Sequence, residues 1–118
     1  MKKEQLKELI LQSLEHEIGG VQIYDAAIAC ALDEGLREEW TKYREQTQTH
    51  VQRLEEVCEA FGLDPQEETP GRKVLRHMAK ALVESMKMAQ SAGEREAAQL
   101  VACECVVVAE SPASRARR

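Results

Sequence analysis

Apolar residues recur every three or four positions from Leu6 to Ala31, and again from Leu36 to Phe61. That spacing is the repeat of an α-helix that turns one face toward a partner. No stretch alternates polar and apolar residues over a strand's length, and the apolar cluster at residues 106–108 sits inside a longer helical pattern. A helix with one apolar stripe can remove it from water only by packing against another layer. The periodicity therefore commits the chain to an all-α fold.

The first stripe reads Leu6, Ile10, Leu14, Glu17, Val21, Tyr24, Ile28, Ala31, which predicts a helix over residues 3–32. The second reads Leu36, Trp40, Tyr43, Thr47, His50, Leu54, Val57, Phe61, which predicts a helix over 35–61. Asp33, Glu34 and Gly35 break the two apart, and acids there suit the positive end of the second helix. Gly62, with Leu63 and Pro65 behind it, stops that helix. Thr69 is a good N-cap and Pro70 a good first residue for a third helix over 70–92, with Val74, Leu75, Met78, Leu82, Val83, Met86 and Met88 as its apolar positions. Gly93 ends it. A fourth helix starts near Glu94, carries Ala97, Leu100, Val101, Val107 and Val108, and stops at Pro112. It would be about 25 Å long against about 45 Å for the first. The expectation is an antiparallel four-helix bundle with a short fourth helix over 1–110, and a disordered tail over 111–118.

Composition narrows the function. The 118 residues suit one domain. A net charge of −5 without a basic stripe argues against nucleic acid and anionic membrane as partners. MKKEQLKELILQ shows no signal-peptide pattern, and no apolar run approaches the ~20 residues of a membrane span, so a cytoplasmic location is expected. Cys30, Cys58, Cys103 and Cys105 form no C-x-x-C pair and are expected to be buried, reduced, small hydrophobes. Arg72, Lys73 and Arg76 at the start of the third helix read as a solvated basic face, with anion binding at the helix N-terminus as the alternative.

The polar residues inside the seams carry the functional question. Glu17 interrupts the first stripe and His50 the second. In a hairpin of the first two helices each lies about 22 Å from the shared turn, so the two should meet at mid-height. Glu84 of the third helix is expected at a similar level, and the fourth helix offers Glu104 or Glu110. A lone carboxylate in such a core is costly unless paired or bound. Carboxylates and imidazole in a bundle centre are ligand types for iron, manganese or zinc. The same residues also suit a buried Glu–His hydrogen bond that fixes register, completed by Thr47 and Tyr43. Gly19 and Gly20 interrupt the first helix beside Glu17, which suggests close approach of a neighbouring backbone or a local bulge.

The segments EHEIGGVQIYDAAI, YREQTQTHVQRLEEVCEAFG and ALVESMKMAQSAGEREAAQL, in that order, resemble the ferritin-like superfamily, near the rubrerythrin-like bundles. The resemblance covers most of residues 10–104. It implies a metal site with Glu17 as the first-helix ligand, His50 as the second-helix histidine and Glu84 as the third-helix ligand, with Glu104 or Glu110 from the fourth helix. It further implies iron oxidation or peroxide and stress handling by a metal-dependent oxidoreductase. Thr47 stands where the family has a bridging Glu, and Val107 and Ala113 stand where the fourth-helix His would follow. The competing expectation is a non-catalytic structural or interaction bundle that forms a homo-oligomer, most simply a dimer, because a short fourth helix leaves apolar surface uncovered.

Overall fold

The computed structural model describes residues 2–111, so the expectation for the tail lies outside the described residues from 112 onward. Among them the fold is all-α: α1 Lys3–Cys30, α2 Glu34–Ala60, α3 Pro70–Ser91 and α4 Arg95–Ala109 form a four-helix bundle without strands. None of these helices is long and apolar enough to cross a membrane.

The punctuation follows backbone chemistry. Asp33 caps α2, its Oδ2 accepting from the Leu36 amide at 2.8 Å. Thr69 caps α3 in the same way, accepting from the Arg72 amide at 3.1 Å, with Pro70 in the first turn. Gly62 and Gly93 take φ of +67° and +82° behind α2 and α3, the left-handed conformation that lets the chain leave a helix. The Leu63 amide then donates back to the Cys58 carbonyl at 2.8 Å.

Direction can be read from paired residues. Glu17 meets His50, Gly20 meets Thr47 and Asp25 meets Arg44, so the α2 partners fall in number as the α1 residues rise. Glu15 meets Arg72, Gly19 meets Ala79 and Cys30 meets Met86, so the α3 partners rise in number with the α1 residues. Gln99 Oε1 accepts from the Leu32 and Asp33 amides, both at 2.7 Å, and ties α4 to the α1–α2 turn.

α1 is the hub. It packs against α2, α3 and α4, while α3 also packs on α4 and α2 rests chiefly on α1. A helix covered from several sides needs more than one stripe, which is why Leu11, Ser13, Glu15, Gly19 and Ala27 are buried alongside Leu14, Glu17 and Tyr24. Two core clusters result. One gathers Ile10, Leu11, Leu14, Val51 and Cys58; the other holds Ile23, Tyr24, Ala27, Trp40, Met86, Ala98 and Ala102 among others. Along α1, the buried members of the first end at Leu14 and those of the second begin at Ile23.

The later helices differ from their sequence patterns. In α3 Leu75, Ala79 and Met86 are buried, whereas Val74, Met78 and Met88 are exposed. In α4 the buried face is Ala98, Ala102 and Cys105, and Leu100, Val107 and Val108 face outward. Small residues let α4 nest beside Ala27 and Ala31 in the upper cluster. On α2, Tyr43, His50 and Phe61 leave the buried stripe, which runs through Trp40, Thr47, Val51 and Cys58.

Two outcomes are expected. Ala102→Leu should overpack the α4 contact and destabilise by about 1–3 kcal/mol, whereas Leu100→Ala should stay within about 0.5 kcal/mol, both by urea unfolding. Cys30, Cys58 and Cys105 are buried, with thiol pKa values pushed up by desolvation, while Cys103 is only partly covered. A thiol reagent at neutral pH should label Cys103 first and the other three only on unfolding, read by mass spectrometry.

Candidate functional site

The middle of α1 carries Glu15, His16, Glu17, Gly19 and Gly20 in close succession, and each meets a different neighbour. Gly20 faces α2, where an added Cβ would lie 3.1 Å from Thr47 Cγ2. Gly19 faces α3, where a Cβ would lie 2.8 Å from Ala79 Cβ. The glycine pair thus admits one helix on each side of α1, the close approach its position suggested.

Glu17 lies between these contacts with 4% of its surface exposed. His50 Nδ1 donates to Glu17 Oε1 at 2.8 Å, joining α1 to α2. An ionised carboxylate only accepts, so this bond places a ring proton on Nδ1, and in a neutral ring Nε2 carries the lone pair. His16 adds a second imidazole, with Nε2 3.9 Å from Glu17 Oε2. The His50 side chain is 45% exposed, so an imidazole open to solvent covers a buried acid.

Thr47 and Tyr43, expected to complete the network, bond elsewhere. Thr47 Oγ1 donates to the Tyr43 carbonyl of its own helix at 2.8 Å. Tyr43 Oη donates to Glu39, and that bond pushes the phenol pKa up. The Tyr43 ring instead packs near Tyr24, centroids 6.1 Å apart.

His50 also lines a cleft of about 430 Å³ between α2 and α4, with Tyr24, Tyr43, Gln46, Thr47, Val106, Val107 and Glu110. Tyr24 Oη donates to Glu110 Oε1 at 3.5 Å, the long end of hydrogen-bond range. Glu110 borders a second cavity as well, shared with His16, Gly19, Gly20 and Ala79.

Glu84 and Glu104 stand apart from the pair. Glu84 lines the α1–α3 groove with Asp25, Lys80 and Lys87, and Glu104 is exposed on α4. The reason is register. α3 enters beside Glu15 and has Ala79 beside Gly19, so Glu84 comes level with Asp25 and not with Glu17. Heights counted from helix ends assume that those ends coincide, and here they do not. Among the described residues, no three His, Cys, Asp or Glu side chains are grouped to hold one metal ion.

A second polar contact went unread in the sequence. Glu15 is 5% exposed and Arg72 4%, and Arg72 Nε donates to Glu15 Oε1 at 2.9 Å. Arg72 Nη1 donates to the Pro65 and Glu67 carbonyls at 2.6 and 3.2 Å, fixing the loop before α3. Arg76 Nη2 donates to the same Glu15 oxygen at 2.9 Å and bridges to Glu68, whose carboxyl it holds below the usual range. The basic start of α3 thus meets an anion, and the anion is a side chain of α1. Arg72 is corrected from solvated to buried. The only sequence cue was Glu15 one place from a buried leucine.

Compared with known proteins, the chain matches no family model, and no curated protein or solved structure matches it significantly.

Gly19→Ala should destabilise despite alanine's better helix propensity, because a Cβ at 2.8 Å from Ala79 Cβ forces α3 outward. A loss of about 1–3 kcal/mol is expected by thermal or urea unfolding, with a smaller effect for Gly20→Ala, where a threonine methyl can shift.

Proposed function

We propose that this chain serves as a non-catalytic helical-bundle module in which Glu17 and His50 form a structural contact that fixes the register of α1 and α2. The observation that carries this reading is the direct bond of 2.8 Å between a buried carboxylate and an imidazole, with Glu84 and Glu104 positioned elsewhere. A pair that bonds across two helices rewards one register and penalises a slip, since sliding by a turn takes the imidazole away from the buried acid. The ferritin-like resemblance supports the bundle architecture. Against closer kinship stands the connection over residues 61–69, which brings α3 back at the end where α2 finishes, whereas ferritin-like folds carry one long crossover. The pairings favour an up-down-up-down bundle with antiparallel sequential neighbours.

A second reading has a specific observation behind it. His50 shares the α2–α4 cleft with Glu110, and its Nδ1 is already held by Glu17. A carboxylate that orients a histidine through one ring nitrogen frees the other for a metal ion. On this reading Glu17 is a positioning residue, His50 and Glu110 are the donors, and iron, manganese or zinc is the ion. A metal-dependent oxidoreductase would follow only from that second reading.

Elemental analysis of protein purified without chelator, with Glu17→Gln and His50→Ala, separates the two. The structural reading expects no stoichiometric metal. It also expects losses of about 1–3 kcal/mol for each variant, and a double variant about 1 kcal/mol less damaged than the sum. Stoichiometric metal that is lost in His50→Ala and weakened about 10–100-fold in Glu17→Gln would replace it with the metal reading. Additive losses without metal would refute the register contact.

A further inference from the structure

The outer face of α3 carries Val74, Met78, Ala81, Ser85 and Met88 at alternating spacings of four and three. All are exposed, Val74, Met78 and Met88 at 57%, 48% and 76%. This is the repeat of a helix–helix seam, and no charged residue falls within it. The Ser85 hydroxyl donates to the Ala81 carbonyl at 3.0 Å, so the one hydroxyl of the stripe is satisfied within its own helix. Val108 of α4, 50% exposed, borders the stripe and lines a cavity together with Met78 and Leu82. Along the other flank run His77, Lys80 and Glu84, all exposed, and none forms an ion pair with another described residue.

We propose that two copies of this chain pair through this face of α3, antiparallel about a twofold axis at Ala81. Ala81 lies midway between Val74 and Met88, so the axis sets Val74 against Met88 of the partner subunit and Met78 near Ser85 of the partner subunit. Small side chains at the centre let the helices approach, and the larger ones fill the two ends. Because a twofold axis brings like flanks together, Glu84 falls between His77 and Lys80 of the partner subunit, and the reverse contact forms at the same time. This self-complementary charge pattern makes a second copy the occupant in place of an unrelated helix. The stripe belongs to neither core cluster, while Lys80 and Glu84 on its flank also border the α1–α3 groove. The inference goes beyond the reading of the Glu17–His50 pair and does not rest on it.

Sedimentation equilibrium of the full chain tests the pairing, with circular dichroism to confirm that each variant folds. The wild type should run at twice its 13.3 kDa mass. Glu84→Lys should weaken the dimer by about tenfold or more, since each of two symmetric contacts turns from attractive to repulsive. The combination Lys80→Glu with Glu84→Lys should restore it. Ala81→Cys in a Cys103→Ser background should give a disulfide-linked dimer under mild oxidation, because residue 81 meets its own copy at the axis. A monomer at about 100 μM would overturn the proposal, that concentration lying well above the Kd of a stable interface. So would a dimer indifferent to Glu84→Lys that fails to cross-link through residue 81.

Discussion

Everything in this molecule is arranged around one helix that must be covered on several sides while carrying two acids at its middle. Apolar residues alone would let the three surrounding helices slide along α1 with little penalty. The carboxylates remove that freedom. Glu15 fixes α3 through Arg72, and Glu17 fixes α2 through His50. The glycines between them and the upper core bring those helices close enough for the bonds to form. Specificity of packing here comes from polar contacts set between two apolar clusters, a use of buried charge attested in helical assemblies.

The two acids are satisfied differently. Glu15 meets two guanidinium groups, one buried and further occupied by loop carbonyls, the other half open to solvent. Glu17 meets an imidazole that is half open to solvent beside a cleft. A guanidinium only donates, so the Glu15 contact offers no lone pair to a further partner. An imidazole next to a cavity keeps a nitrogen in reach of other molecules, which is why the functional question belongs to Glu17 and His50.

Much of the fold was legible because its cues are local. Helix boundaries followed from Asp33, Gly62, Thr69, Pro70 and Gly93, whose chemistry acts on neighbouring backbone alone. The meeting of Glu17 with His50 was legible too, because a short turn fixes the register of two consecutive helices. Glu84 was not, because its level depends on where α3 docks, and Arg72 decides that from across a loop. The burial pattern of α4 misled for a related reason. Periodicity reports which residues are apolar, but close packing selected Ala98, Ala102 and Cys105 over the bulkier Leu100 and Val107. His16 gave no signal beyond standing next to Glu17.

The dependence of α2 on a single neighbour has a consequence for how the molecule breathes. α1, α3 and α4 brace one another, while α2 leans on α1 with little second support. Thermal opening will therefore begin by lifting α2, in the manner of a partly independent cooperative unit. That motion parts the imidazole from its acid and bares Val51 and Cys58 together with the lower end of α1. The seam that sets the alignment of the first two helices is thus also the hinge line along which the native state first comes apart.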